Sequence, residues 1–396
     1  MAKKSEKQPV GTTPPENPTI PATTSMTLIN IGAAVGLAVL FVVVMQAMGS
    51  ILKPFFIAIF LSILIYPAVA LLVRFKVPRF IAYFVVFGAI VGVIYVLGIL
   101  VSINVSAFVE RLPFYETRLT TITEQALMLI QRMITFDRWG LTKGIDLTAI
   151  DPFQYISLPK ITSYIGASLG SVFDIVGVVF VILFFMVFIL MEADRIPARV
   201  TWAYGEANAP EILAVADDIN TSVMKYLWVK TLINIATGLL TALVLGIGGI
   251  DFFILWGIMA FVLNYIPYVG SIFAVGFPFL MALVQISPLG ALVILLCLIV
   301  VHFSLGNFIE PKVMGRELNL SPLVVLISLA FWGWLWGFIG MVLAIPITAT
   351  IKIVMEHIPA TRNLARFMSD VLELPAERPP RRRIPIFSLL QRTKRG

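Results

Sequence analysis

The chain has 396 residues, 59% of them hydrophobic and only 13% charged, with a formal net charge of +7 and a mean hydropathy of +0.97. Soluble domains carry about 25% charged residues, so a freely soluble globular protein is excluded and an integral membrane protein is indicated. The apolar runs also lack the period of two, over roughly ten residues, that the strands of an outer-membrane barrel show.

Residues 1–26 are polar and proline-rich, which predicts a disordered cytoplasmic arm without a cleavable signal peptide. A helical crossing needs about 20 mostly apolar residues, and residues 28–48 supply a first span, with Gly32 and Gly36 open to close helix approach. Residues 51–73 read as a second span containing Pro54 and Pro67, and residues 80–103, after the basic RFKVPR (74–79), as a third. Transmembrane helices 1–3 thus occupy residues 27–104.

Residues 105–160 carry six basic and six acidic groups and no long apolar run. Leu112, Tyr115, Leu119, Ile122, Ala126, Leu129 and Met133 follow a 3-4-3-4 spacing, which places them on one helical stripe. An extracytoplasmic amphipathic helical insertion is expected, pairing either with its own membrane domain or with a neighbouring subunit. The fourth span, in residues 161–192, opens with Gly166 and Gly170 and carries Asp174 near its start, expected as an interfacial cap or counter-ion. A cytoplasmic amphipathic segment (193–226) follows, with Ile212, Val215, Ile219 and Val223 on one side. The fifth span (227–247) contains Lys230, Asn234, Thr237 and Thr241.

Lengths change the pattern in the second half. Residues 252–286 are apolar but interrupted by NYIPYVG (264–270), and residues 321–352 by WGWLWGFIG (332–340). Two crossings and a turn need on the order of 42 residues, so each segment is expected to be a re-entrant pair of half-length helices. Residues 290–307 make the sixth span between them. Short-loop lysines and arginines place both termini in the cytoplasm. Six full spans then close the topology, with the two hairpins entering from opposite faces. AVGFP (274–278) after one break and VLAIP (342–346) after the other resemble each other weakly. Interrupted helices in corresponding positions point to a transport site in residues 227–355. Residues 356–396 form a basic tail, read as a membrane-surface anchor rather than a nucleic-acid site.

Residues 307–350, with Ile309-Glu310-Pro311, Leu320-Ser321-Pro322, Gly333 to Gly340 and Ala344-Ile345-Pro346, resemble the signature of the autoinducer-2 exporter family, as does NYIPYVGSIFAVGFP (264–278). Many members carry His where Ser321 stands. The resemblance implies an inner-membrane, homo-oligomeric transporter whose relatives are associated with autoinducer-2 export or sodium–proton antiport. A non-transporting scaffold is the third possibility.

Asn234, Asn264, Pro267, Gly270, Asn307, Glu310, Pro311, Gly333, Gly337, Gly340 and Pro346 are the candidates for the substrate or ion path. Glu310 reads either as a cation or proton site, because ionisable groups at membrane depth are functional by default, or as an interfacial carboxylate paired with Lys312 or Arg316. Lys230 is expected to snorkel to the interface. Asn264 and Asn307 are expected to cap broken helices, and His302 to be a buried packing residue. The alternating tryptophans would wall the second hairpin tip or line the path. No catalytic, metal or nucleotide motif is present, and no cofactor is expected. The expected partners are the lipid bilayer, a small polar molecule or cation, and further copies of the chain.

Overall fold

A computed structural model describes residues 22–135, 172–315 and 318–370. Among the described residues all regular structure is helical, and five helices are long and apolar enough to cross a membrane: Gly49–Arg74, Arg79–Gln125, Ile196–Ile247, Pro288–Met314 and Phe338–His357. Gly166, Gly170 and the tail beyond residue 370 lie outside the described residues, as do the side chains of Asp174, Ala126, Leu129 and Met133.

The chain divides into two units, Met1–Ser50 and Ile51–Gly396. Helix α1 (Ala22–Ala47) belongs to the first and begins inside the stretch expected to be a disordered arm. In the second unit, α2 (Gly49–Arg74), α3 (Arg79–Thr135) and α4 (Val172–Ala193) share a core of Ala58, Ile65, Val69, Ala82, Val86, Met186 and Leu190. Large side chains such as Phe80, Phe84 and Phe180 remain exposed on their other faces. That distribution suits helices solvated by hydrocarbon, which are apolar all round. Arg79 Nη1 donates to Asp194 Oδ2 at 2.8 Å, tying the start of α3 to the end of α4.

Two expected boundaries fall inside continuous helices. The third span and the start of the 105–160 insertion are one 57-residue helix, α3. Polarity changes near residue 104, but nothing there stops the backbone ladder, so composition marks a change of solvent and not a helix end. Likewise the 193–226 segment and the fifth span form α5 (Ile196–Ile247), interrupted only at Gly205 (φ 76°, ψ 163°), ahead of Pro210.

Next come α6 (Phe253–Leu263), α7 (Val269–Gln285) and α8 (Pro288–Phe303), the last capped by Ser287 Oγ, which accepts from the Gly290 N–H at 3.2 Å. A π-helical segment (Ser304–Ile309) leads into the short α9 (Glu310–Met314). Ser321 caps α10 (Pro322–Trp336) by accepting from the Val324 N–H at 3.3 Å, a role for which its hydroxyl is well suited. Then follow α11 (Phe338–His357) and α12 (Arg362–Phe367).

The two interrupted segments are helix pairs, α6–α7 and α10–α11. The first break covers residues 264–268; the second is a single residue, Gly337 (φ 68°, ψ −145°), and not the nine-residue stretch expected. At 1.5 Å per residue, α6 and α10 reach about 16 and 22 Å, short of the roughly 30 Å hydrocarbon core. Helix α11 is longer than expected: its 20 residues meet the length of a crossing on their own.

Both pairs close through glycine. A Cβ on Gly270 would collide with the Leu263 carbonyl, and one on Gly340 with the Trp332 carbonyl, so each second helix runs directly against the last turn of the first. Helices α5 and α6 also cross closely, since a Cβ on Gly238 would lie 2.7 Å from the Gly257 carbonyl oxygen. Small residues at such crossings let backbones approach where lipid offers no hydrophobic drive.

Candidate functional site

Helix α5 presents an unbroken row of buried polar side chains to the α6–α9 region. Tyr226, Lys230, Asn234, Thr237 and Thr241 follow at spacings of four, four, three and four, so helical geometry stacks them on one face. At 1.5 Å per residue the row runs about 22 Å. A polar group in hydrocarbon is costly unless paired, and three members of the row find a side-chain partner on another element.

Lys230 Nζ lies 2.8 and 2.9 Å from Glu310 Oε1 and Oε2 at the start of α9. The lysine side chain is 4% exposed and the carboxylate 17%. This overturns the expected snorkelling of Lys230, because the neighbouring elements cover its ammonium at the carboxylate. It also replaces the expected pairing of Glu310 with Lys312; Arg316 lies outside the described residues.

One turn along, Asn234 Oδ1 accepts from Asn264 Nδ2 at 2.8 Å, and Asn264 Oδ1 accepts from Ser271 Oγ at 3.2 Å. Asn264 is the C-cap residue of α6, so the cap also carries the bridge to α5. The Asn234 amide nitrogen is buried and has no partner among the described residues. Farther along, Thr241 Oγ1 sits 3.3 Å from His302 Nε2 on α8, and the other ring nitrogen is buried without a partner among the described residues. His302 is a buried packing residue as expected, with a polar contact that spacing alone did not disclose.

The first break also faces α5. Thr231 Oγ1 lies 2.8 Å from the Tyr265 hydroxyl. Both residues, with Tyr226, line a cavity of about 270 Å³ bounded by α2, α5, the first break and the start of α11. Phe338 and Pro346 close it from the second pair, so both breaks meet one cavity.

The remaining expected residues fall in three groups. Pro267 is half-buried in the first break, and Gly270, Gly340 and Pro346 are buried where the helix pairs close. Gly333 lies inside α10, and Gly337 is the exposed turn itself. Asn307 and Pro311 are exposed, and Asn307 lies within the π-helical segment, so its expected capping role is not seen. Of the tryptophans, Trp332 and Trp336 share the buried face of α10, with ring centroids 5.2 Å apart, whereas Trp334 on the opposite face is 65% exposed. Trp332 Nε1 donates to Thr348 Oγ1 at 3.3 Å, and Trp336 packs 5.5 Å from Phe56. The tryptophans wall the second break, and none of them lines the cavity.

Sequence reasoning missed the Lys230–Glu310 pair, the roles of Tyr226 and Tyr265, and a second buried lysine. Lys352 on α11 reaches the Leu318 carbonyl at 3.3 Å and Glu356 Oε1 at 3.1 Å. The signal for the α5 row was present: polar residues at helical spacing on one face of an otherwise apolar span.

Comparison with known proteins agrees with a transport role. The model of the AI-2E family transporter matches residues 35–360. The "AI-2 transport protein TqsA" of Escherichia coli (strain K12) is 31% identical over 336 residues, covering 85% of this chain and 94% of that one. A Borreliella burgdorferi protein, whose name gives transport provisionally and no solute, is 29% identical over 342 residues, covering 85% and 90%. A Haemophilus influenzae protein named in the same way is 29% identical over 331 residues, covering 82% and 91%.

Proposed function

This chain belongs to the AI-2E transporter family, and we propose that it is a secondary transporter of the bacterial inner membrane that exports a small polar molecule of the autoinducer-2 kind. The observation that carries this reading is the buried polar row of α5 facing the break between α6 and α7. Ionisable groups at membrane depth mark substrate or ion pathways by default, and irregular backbone survives there only inside protein or beside a cavity. The name of the Escherichia coli relative supports autoinducer-2 as the solute.

In this reading α6–α7 and α10–α11 are re-entrant hairpins entering from opposite faces. Both termini are cytoplasmic, and the α3 continuation projects outside. The half holding α5 to α11 moves against a homo-oligomeric scaffold built from residues 28–191. Asn234, Asn264 and Glu310 contact the solute or tune its site, while Gly270, Gly337, Gly340 and Pro346 shape the breaks.

The pair of a carboxylate and an ammonium favours one second reading. Protonation of Glu310 would release Lys230, and an entering cation could take the carboxylate, which is the logic of sodium–proton antiport. A flux panel on purified protein in liposomes separates the two. Export predicts saturable autoinducer-2 movement that Glu310→Gln slows; antiport predicts sodium-driven proton movement that Glu310→Gln abolishes, with no autoinducer-2 flux. If wild-type protein moves neither, both readings fail.

A further inference from the structure

Two short turns, one between α2 and α3 and one between α4 and α5, lie side by side at one end of the first helices. Leu72, Val73 and Val77 pack into the same core as Ile189 and Leu190, and the Arg79–Asp194 bond ties the two turns together. Five basic side chains stand here, Arg74, Lys76, Arg79, Arg195 and Arg199, and the nearby carboxylates are already taken, Asp194 by Arg79 and Glu192 by Arg199. Arg74, Lys76 and Arg195 are exposed and have no carboxylate partner among the described residues. The next acid along the chain, Glu206, lies beyond the interruption of α5 at Gly205. Two local choices also run against the stability of the turns themselves. Lys76 holds φ 65°, a left-handed conformation that glycine adopts freely and lysine only at a cost. Arg79 and Arg199 stand in first helical turns that hold no acid, where the helix dipole favours negative charge.

The structure assigns this surface to the headgroup of an anionic phospholipid. Charge complementarity identifies the headgroup, because arginine and lysine without carboxylate partners attract phosphate and each adds to the pull of an anionic membrane surface. The flanks identify a lipid and not a soluble phosphate. Trp202, 89% exposed, follows Arg199 by three residues on the same helical face, which suits an indole at headgroup level. Phe80 and Phe84 on α3 have ring centroids 4.7 Å apart, as do Phe188 and Phe184 on α4, and all four rings are exposed. Both pairs lead away from the turns along apolar helices, so acyl chains find a surface that begins at the basic cluster. A soluble phosphate would leave that surface unused. The assignment does not depend on the transport reading.

The test is native mass spectrometry of the full chain in dodecyl maltoside, titrated with dioleoyl phosphatidylglycerol or dioleoyl phosphatidylcholine. The two lipids share acyl chains and a phosphate and differ in net charge. Wild-type protein binds its first phosphatidylglycerol at least about tenfold more tightly than phosphatidylcholine. Arg74→Gln/Lys76→Gln/Arg195→Gln removes the unmatched charges without breaking either ion pair and brings the two lipids within about twofold of each other. Lys312→Gln/Arg362→Gln/Arg366→Gln removes as much exposed charge on α9 and α12 and leaves the preference intact. Lys76→Gly decides the matter even if the first triple variant fails to fold. Glycine suits the positive φ, so this variant melts no lower than wild type, while its affinity for phosphatidylglycerol falls about fivefold. Equal binding of both lipids by wild type would overturn the assignment, as would full affinity in Lys76→Gly. So would an α9 and α12 variant that loses the preference as far as the turn variant, because net charge and not position would then be read. Displacement of phosphatidylglycerol by millimolar inorganic phosphate would overturn it too, marking a site for a soluble anion.

Discussion

Lys230 and Glu310 illustrate how a membrane helix can hold two charges that hydropathy alone counts as penalties. Removing one partner strands the other, and breaking a buried pair costs about 3–5 kcal/mol, whereas replacing both by apolar groups is often neutral or stabilising. Lys230→Met should therefore lower the thermal midpoint of the purified protein clearly. The double variant Lys230→Met/Glu310→Leu should recover most of the loss while transport stays impaired. A melt followed by tryptophan fluorescence, beside flux on the same samples, checks both. If the double variant is as unstable as the single, the pair is not the buried unit described. The Arg111–Asp251 contact lies at the other extreme: its guanidinium side chain is 58% exposed, and solvent-exposed pairs contribute little to stability. Arg111→Gln should barely move the melt.

At the scale of the element, the glycines around the second break separate by what surrounds them and not by their spacing. A Cβ on Gly340 would meet the rigid Trp332 carbonyl, whereas one on Gly333 would meet Met341 Cγ at 2.8 Å, the middle of a flexible side chain that can turn aside. Gly337 has open space but a positive φ, for which a non-glycine residue pays about 1–3 kcal/mol. Substitution by alanine should destabilise most at 340, intermediately at 337 and least at 333, read as the fraction of detergent-solubilised protein that stays monodisperse after heating. An equal loss at 333 and 340 would contradict the close packing of α10 on α11.

The same region shows what the sequence could and could not disclose. Apolar runs long enough to cross a membrane are one-dimensional signals, so four of the six expected spans, 51–73, 80–103, 227–247 and 290–307, fall within helices long and apolar enough to cross, whereas the fifth such helix, Phe338–His357, was expected as half of a hairpin. The proline in NYIPYVG marked the first break because proline removes a backbone donor wherever it stands. WGWLWGFIG offered three glycines, and only the tertiary neighbours decide that 337 turns while 333 and 340 permit contact. Helix ends in α3 and α5 were illegible for the opposite reason: a polarity change looks like a boundary although the backbone continues through it. Asn234 and Asn264 could be picked out as polar residues in apolar surroundings. Lys230, at a span end, had the same composition signal as a snorkelling lysine, and only the α5–α9 packing distinguishes the two.

Across the whole second unit, the α3 continuation meets the first helix pair at one polar cluster. The Tyr115 hydroxyl donates to Asp251 Oδ2 at 2.8 Å, Gln285 Nε2 donates to that hydroxyl at 3.4 Å, and Gln285 Oε1 accepts from the Asp251 N–H at 2.8 Å. The stripe beginning at Leu112 and Tyr115 thus packs at its base on its own chain, one of the two destinations its spacing allowed. If transport moves the α5–α11 half against the first helices, this cluster lies where the two must part, because Tyr115 is carried by α3 and its partners by the loop before α6 and the end of α7. In a Cys297→Ser background, which removes the exposed native thiol, the double variant Tyr115→Cys/Gln285→Cys puts two thiols at positions whose native side chains meet tip to tip, a gap for a short bis-methanethiosulfonate cross-linker rather than a direct disulfide. Cross-linking should then reduce flux at least about tenfold, the range of a conformational equilibrium shifted by about 1.4 kcal/mol or more, and dithiothreitol should restore it. Each single-cysteine variant should be insensitive to the cross-linker. A cross-linked protein that transports at the uncross-linked rate would mean that the α3 continuation and the first helix pair travel as one body, and the moving boundary would then have to lie between α3 and α2 or α4.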